Sequence, residues 1–221
     1  MSRKSVRLYI EGGAVGRNAD ADFRRGWKNF LRRELESHAH THNFATIEVV
    51  RGTGRQQTYN DFLISRKKHP EDLCVLLVDS ETIVPPRMPV WSVVKQREGD
   101  KWDKPDWATD QHLYLMVIAV EAWLLTDQTA LAKYFKRGFD VSRLPTTNLE
   151  TRSKTEIDSA LKRASKNCKC GPYRHGMAHE IVELVDSEKV KTLPHCARLF
   201  FELKALIRAV SGPPRGQGGR L

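Results

Sequence analysis

The sequence feature that most constrains the fold is an unbroken apolar run, LCVLLV, at residues 73–78. Such a run is typical of a central strand that is buried on both faces of a parallel sheet. β-Branched and aromatic residues predict two earlier strands, at residues 5–10 and 45–50. Between these strands, apolar residues at helical spacing predict helices over residues 22–37 and 57–68. The order β-α-β-α-β favours an α/β fold with a parallel sheet and right-handed crossovers.

The second half of the chain is predicted to be mostly helical. Residues 80–108 hold four prolines and three tryptophans, which predicts a long ordered loop or a small insertion. A fourth strand is predicted over residues 111–118 and a helix over 119–135 that breaks near Asp127, although the boundary near Ala119 stays open. Three further helices are predicted at residues 153–166, with Ser153 as a cap, at 177–185 and at 192–209.

These elements predict an α/β domain over residues 1–135 with helices on both faces of its sheet, followed by a helical lobe over residues 136–210. The Gly- and Pro-rich tail, residues 211–221, is predicted to be disordered. Cys74 lies inside the apolar run and is expected to be a small core residue. No apolar stretch approaches membrane-spanning length and the N-terminus lacks a cleavage-type segment, so a cytoplasmic location is expected.

Charge is distributed unevenly along the chain, which carries a formal net charge of +10. Residues 1–70 have a net charge of +7, residues 71–149 of −3 and residues 150–221 of +6. A basic chain with an acidic middle suits a polyanion held around a metal-binding centre. Basic composition alone does not decide between a nucleic-acid-binding protein and a basic protein without that function.

Acidic side chains follow two of the predicted strands. Glu11 ends the first strand and precedes Gly12, whereas Asp79 ends the third strand and Glu81 lies two residues further on. Because ligands gather at the carboxyl ends of parallel strands, these carboxylates are expected to converge on one edge of the sheet. Clustered carboxylates repel unless a cation neutralises them, and hard oxygen ligands favour Mg²⁺ or Mn²⁺. The alternative is that each is an ordinary loop residue or helix cap.

The segments LYIEGG and LLVDSE resemble the motifs of the Toprim domain of topoisomerases, bacterial primases and overcoming-lysogenization-defect nucleases. That domain has Glu-Gly after one strand and Asp-x-Asp after a later strand. The resemblance implies a Toprim-like parallel-sheet core in which Glu11, Asp79 and Glu81 bind metal and act in catalysis. The sequence departs from the pattern at Glu81, where aspartate is usual.

A larger part of the chain is similar to a bacterial family known as domain-of-unknown-function family 4276. The similarity is carried by EGGAVGRNADADFRRGWKNFL, LLVDSE, KWDKPDWATDQHLYLMVIAVEAWLLTD and YRHGMAHEIVELVD. Members of this family are often encoded beside a predicted ATPase, and related Toprim-like proteins act as effector nucleases in antiphage defence. The resemblance therefore implies a defence nuclease with an ATPase partner.

Several other residues are candidates for the same site. Glu121, in VEAWLLTD, resembles a Glu-x-Trp that follows a strand in other defence-associated Toprim-like proteins, and it is expected to complete the site or to be a buried ion-pair partner. Lys154 is a candidate for holding phosphate or stabilising a leaving group, or else an ordinary surface lysine. The proposed nucleic-acid contacts are Arg24, Arg25, Arg174 and His175, with a solvated face as the alternative for Arg24 and Arg25.

Two patterns that look like metal sites are discounted. Cys168 and Cys170, with His175 and His179, lack the usual C-x₂₋₄-C spacing of zinc sites. The alternating His38, His40 and His42 are expected in a solvent-facing loop between a helix and a strand. The glycines Gly12, Gly13 and Gly16 do not form a Walker or dinucleotide-binding motif, so any ATP hydrolysis must come from a partner.

Two hypotheses follow for function. The first is a metal-dependent phosphodiesterase acting on DNA or RNA, in which Glu11 is a ligand or general base. The second is a catalytically silent Toprim-like subunit that docks on an ATPase. A small-molecule phosphotransfer role is less compatible with the basic flanks. No membrane partner is expected, and a homo-oligomer stays open.

Overall fold

A computed structural model of the chain describes residues 4–12, 19–85 and 87–211. Its centre is a four-stranded, all-parallel sheet with the order β2-β1-β3-β4. The strands are β1 (Val6–Glu11), β2 (Ile47–Gly52), β3 (Leu73–Asp79) and β4 (Leu113–Met116). The predicted α/β class, the parallel sheet and all four strands are confirmed. Strand β3 is buried along LCVLLV and has a neighbour on each side, as the continuous apolar run predicts.

Nine α-helices surround the sheet in the described part of the chain. They are α1 (Ala19–Thr41), α2 (Arg55–Lys68), α3 (Val90–Gln96), α4 (Val120–Leu124), α5 (Gln128–Phe135), α6 (Lys154–Ser165), α7 (Ala178–Val182), α8 (Ser187–Val190) and α9 (Pro194–Val210). No helix in these described ranges is long and apolar enough to cross a membrane.

The strand order places α1 and α2 on opposite faces of the sheet. The chain moves in one direction from β1 to β2 and in the other from β2 to β3, and right-handed crossovers then require opposite faces. On the α1 face, Phe30 lies 5.8 Å from Phe200 of α9 between ring centroids. On the α2 face, Phe62 lies 6.2 Å from Trp91 of α3. The expectation of helices on both faces is confirmed.

The helix faces predicted from apolar spacing are buried as expected. Helix α1 buries its five predicted inward residues completely: Phe23, Trp27, Phe30, Leu31 and Leu35. Cys74 is a buried free thiol, as predicted. Ser153 caps α6 through a capping box with Glu156, and the side chain of Asp127 accepts a hydrogen bond from Ala130 N–H at the predicted helix break.

Three element predictions need correction. Residues 80–108 contain the helix α3, which has only seven residues and is rich in β-branched side chains, so its periodicity gives little signal. Helix α1 continues to Thr41, so His38 and His40 lie in a helix rather than in a loop. The short helix α8 was not predicted.

The segment that follows residue 136 packs against the α1 face. Helix α7 comes so close to α1 that a Cβ at Gly26 would lie 2.2 Å from the carbonyl oxygen of His179. Helix α9 contacts both α1 and β4, and its buried side chains join the same hydrophobic cluster as the sheet. Gly13, Gly16 and the tail at residues 212–221 lie outside the described residues.

Candidate acidic site at the carboxyl edge of the sheet

The strand register brings the ends of β1 and β3 together. The two strands are parallel neighbours in which Ile10 pairs with Leu77, so Glu11 and Asp79 emerge at the same edge. Asp79 in turn pairs with Met116 of β4, and the chain then enters α4. The N-terminal N–H of that helix, at Val120, donates to Asp79 Oδ1 at 3.0 Å. The predicted convergence of the first two acids on one sheet edge is thus confirmed.

The loops after β3 and β4 are tied together beside these acids. The buried Ser80 accepts a hydrogen bond at its Oγ from Ile118 N–H at 2.8 Å. In return, Glu81 N–H donates to the carbonyl oxygen of Ile118 at 3.0 Å. Both Glu81, with φ of 62°, and Ile118, with φ of 67°, have left-handed backbones. This conformation is strained for a β-branched residue, and such strain clusters at functional sites.

The carboxylates are close enough to shift one another's pKa. Burial raises the pKa of Asp79 well above its usual value, and the negative charges of Glu121 and Glu11 add to this. Burial also raises the pKa of Glu11, against the opposing effect of Arg55. The edge of the sheet therefore holds more negative charge than its environment accommodates readily.

Two cations lie within the acidic cluster. Lys154 Nζ contacts both carboxylate oxygens of Glu81, at 2.8 and 2.7 Å. Burial alone would lower the pKa of Lys154, but the hydrogen bond and the charge of Glu81 raise it. Arg55 Nη1 donates to Glu11 Oε2 at 2.8 Å and to the carbonyl oxygen of Asp79 at 2.6 Å. The predicted residue Lys154 is thus at the site.

Arg55 is held in place by a network that the sequence analysis missed. Its Nε and Nη2 donate to the two carboxylate oxygens of Asp100, both at 2.7 Å, and the Asp100 side chain is only 2% exposed. Its guanidinium lies 4.9 Å from the ring centroid of Trp102, which stacks on Tyr59. Two residues separate Arg55 from the end of β2. This position at the carboxyl end of a strand is the sequence feature that could have identified Arg55 as a residue of the site.

Glu121 connects the acidic edge to the helical segment after residue 136. This buried carboxylate accepts hydrogen bonds at Oε1 from the Tyr173 hydroxyl at 2.7 Å and from His175 Nδ1 at 2.8 Å. Burial would raise the pKa of Glu121, but the bonds from His175 and Tyr173 lower it. The same bond raises the pKa of His175, whose Nε2 lies 3.6 Å from Asp158 Oδ1. Tyr173 was not predicted as a residue of the site. His175, which was predicted as a nucleic-acid contact, is in contact with Glu121.

Within the described residues, the remaining predicted residues form no hydrogen bond or ion pair with Glu11, Asp79, Glu81 or Glu121. Arg24 pairs with Asp20 at 2.7 Å, and Arg25 with Asp22 at 2.9 Å, so both arginines have acidic partners on their own helix. Arg174 is exposed beside His175. Arg55 and Lys154, rather than the arginines of α1, are therefore the cations that contact the acids.

The four residues of the discounted zinc pattern, two cysteines and two histidines, lie in different surroundings. His179 Nδ1 accepts a hydrogen bond from Trp27 Nε1 at 3.2 Å, and burial lowers the pKa of His179 to about 4. His175 is bonded to Glu121, whereas Cys168 is buried and Cys170 is exposed. His38 and His42 bind main-chain carbonyl oxygens. Within residues 4–12, 19–85 and 87–211, no group of three His, Cys, Asp or Glu side chains is placed to hold a metal ion.

The donor set nevertheless suits a hard divalent cation. It consists of carboxylate oxygens, which Mg²⁺ and Mn²⁺ prefer, and the pKa of Asp79 is raised by burial and, in addition, by the charges of Glu121 and Glu11. Glu11 and Glu81 extend towards Arg55 and Lys154 instead of towards a common point. The chemistry of the residues therefore fits a metal, whereas their arrangement is that of two ion pairs flanking Asp79.

Comparison with known proteins gives one match. The family described as Domain of unknown function (DUF4276) matches residues 25–204, which is most of the chain. The chain belongs to this family. The DUF4276 match includes Asp79, Glu81, Glu121 and Lys154 but begins after Glu11. No curated protein and no solved structure matches the chain.

The contact between Glu121 and His175 predicts a pH-dependent contribution to stability. Because the folded pKa of His175 is raised, this contribution is complete below the ordinary histidine pKa, about 6.5, and is lost as the pH rises through the folded value. Glu121→Gln should lower the pKa of His175, followed by NMR, and should flatten the decline in unfolding free energy between pH 6 and 8. The decline should be about 1 kcal/mol or less, because the imidazole is largely exposed.

The exposed Glu188→Gln is the matched control and should leave the His175 titration unchanged. An unaltered His175 pKa in Glu121→Gln would show that the contact does not exist in solution.

Proposed function

We propose that this protein is a metal-dependent phosphodiesterase that cleaves nucleic acid. The observation that carries the proposal is the convergence of Glu11, Asp79, Glu81 and Glu121 on one edge of a parallel sheet, with the pKa of Asp79 raised by burial and by its acidic neighbours. Parallel sheets bind their ligands at this edge. The net charge of +10 supports a polyanionic substrate over a small neutral one.

Glu11, Asp79 and Glu81 are the residues that would hold Mg²⁺ or Mn²⁺, since they supply the hard oxygen ligands. When bound, the metal would activate water as a nucleophile and stabilise charge on the phosphate. The protein's own residues supply the rest of the site. Lys154 carries a positive charge for a phosphate oxygen, because its pKa is raised. Glu121 holds the ring of His175 by its Nδ1, which leaves the exposed imidazole beside Arg174 for contact with substrate.

The protein is further proposed to be the effector of an antiphage defence system that works with an ATPase. This part of the proposal rests on the resemblance of the sequence motifs to the family, whose members are often encoded beside a predicted ATPase. It agrees with the lack of a Walker motif in the chain. A free basic nuclease would damage the nucleic acid of its host, so control by a partner is expected.

One observation favours the alternative of a catalytically silent subunit that docks on an ATPase. In the described residues Glu11 and Glu81 are already paired with Arg55 and Lys154, and no three ligands share one point. A protein that has lost its metal could be stabilised by such ion pairs. The two functions differ in what mutation of the acids does, because a silent subunit would keep partner binding and would have no activity to lose.

A cleavage assay tests the proposed function. Transfer RNA, single-stranded RNA and duplex DNA are each incubated with the protein, with and without the ATPase, in Mn²⁺ or in EDTA and at two salt concentrations. We expect weak or no cleavage by the protein alone, metal-dependent cleavage with the partner, and a steep loss at high salt. If folded, partner-bound protein cleaves none of the substrates in any of these conditions, the silent-subunit function stands instead.

A further inference from the structure

A pocket of about 510 Å³ lies beside helix α6, outside the acidic site. Three arginines from separate segments line it: Arg143 after α5, Arg152 just before α6, and Arg163 within α6. Lys154 and Arg163 are nine residues apart on α6, which is two and a half turns, so they lie on opposite sides of the helix. The start of α6 therefore separates the arginine pocket from the acids.

The arginines keep donors available for a ligand. Arg152 donates from Nε to the carbonyl oxygen of Thr147 at 3.0 Å, and Arg143 donates from Nε to Asp140 at 2.7 Å. Both bonds use Nε, so they orient the two guanidinium groups and leave the terminal Nη nitrogens available to a ligand. Arg163 is exposed and makes no hydrogen bond or ion pair within the described residues. Such forks match the oxygens of a phosphate group.

The first turn of α6 is not itself the binding element. Ser153 and Glu156 form a capping box that satisfies the N–H groups of these two residues. Both hydrogen bonds that the Glu156 side chain accepts go to its Oε2 from Ser153, and this is the one acidic residue that lines the pocket. The three guanidinium groups outnumber the two carboxylates near them, Glu156 in the lining and Asp140 paired with Arg143, so the net positive charge of the pocket comes from side chains.

The pocket is larger than an isolated phosphate requires. Its volume is within the range of about 300–1,000 Å³ that is typical of small-molecule sites. Leu144, Pro145 and Ala160 add apolar surface to the lining. Arginines together with an apolar wall suit a phosphate that carries a sugar and a base.

We propose that this pocket binds one nucleotide unit, with its phosphate on Arg143, Arg152 and Arg163. The inference deepens the proposed function and rests on it in one respect, namely that a strand held here continues over the start of α6 to the acidic edge. The helix with its side chains is about 10–12 Å across. A strand that keeps the stacked spacing of a duplex, about 3.4 Å per nucleotide, would cover that distance in about three nucleotides. The same phosphate chemistry could come from a free nucleotide, which the experiment separates.

Binding is measured in EDTA, so that cleavage plays no part. The full-length protein is titrated with a fluorescent single-stranded oligonucleotide, and competition with ATP and with inorganic phosphate is measured in the same assay. The double variant Arg152→Ala with Arg163→Ala is compared with the control Arg66→Ala with Arg208→Ala, which removes the same charge from other exposed arginines. Unfolding curves establish that both variants are folded.

We expect the pocket variant to bind the oligonucleotide at least tenfold more weakly than the control variant. The slope of log K against log salt should fall by about 0.7, since the pocket holds one phosphate and each lost phosphate contact contributes about 0.7 for a single strand. Competition by ATP at micromolar concentration in wild type, lost in the pocket variant, would identify a free nucleotide as the occupant. Equal oligonucleotide and ATP binding by the two variants, or no binding of any probe by wild type, would overturn the proposal.

The outcomes also separate this inference from the proposed function. If wild type binds the oligonucleotide through the arginines but never cleaves it with metal and partner, the nucleotide pocket is supported and the proposed nuclease function is refuted. If wild type cleaves and the pocket variant binds and cleaves equally well, the nuclease stands and the pocket proposal fails.

Discussion

Asp79→Asn is expected to abolish Mn²⁺ binding and to reduce metal-dependent cleavage by at least about 100-fold, because it removes the carboxylate at the centre of the acidic edge. The variant should at the same time be more stable than wild type at neutral pH. The pKa of Asp79 is raised by burial and by its acidic neighbours, so the charged form destabilises the fold. Neutralising it should add about 1.4 kcal/mol for each unit by which the pKa is raised. Asparagine keeps an oxygen for the N–H of Val120.

Calorimetry with Mn²⁺ and urea unfolding measure the two effects on the same samples. Asp106→Asn, in an exposed loop, is the matched control and should change neither quantity. Metal should also stabilise wild type by mass action and leave Asp79→Asn unaffected. A variant that binds Mn²⁺ as tightly as wild type would exclude Asp79 as a ligand and favour the silent-subunit function.

Arg55→Met is expected to lower the free energy of unfolding by about 3 kcal/mol, since removing one partner of a buried ion pair leaves an uncompensated charge. Asp100, with a side chain only 2% exposed, would lose both hydrogen bonds from Arg55 and, among the described residues, would keep only its contact with Arg97 at 2.8 Å. Glu11 would lose its cation as well. Methionine retains a flexible apolar contact with Trp102, so the loss reports chiefly on charge.

The exposed pair of Arg24 and Asp20 provides the comparison. Both side chains are more than half exposed, so Arg24→Met should cost less than about 1 kcal/mol. Thermal and urea unfolding of the two variants test the contrast. Equal, small losses in both would mean that Arg55 is not a buried anchor of the site.

Local patterns in the sequence were sufficient for the core and for part of the site. Period and composition identify strands because a side chain's burial follows from its position within the element, as LCVLLV in β3 demonstrates. Strand ends follow from the same patterns, and parallel strands share a carboxyl edge, so Glu11 and Asp79 could be placed together before the strand order was known. Glu121 came from the family resemblance, which is also a property of the sequence, and Lys154 came from the ability of a lysine to hold phosphate as a point charge.

The contacts that give the site its charge balance depended on the tertiary structure. Arg55 meets Asp100, 45 residues away, and Tyr173 meets Glu121, 52 residues away. No periodicity relates such partners, because their meeting depends on strand order, on the hand of each crossover and on the packing of the later helices against α1. The sequence by itself determined which residues are buried and which end a strand. Only the tertiary structure decided which cation neutralises which carboxylate, because that choice is set by long-range geometry.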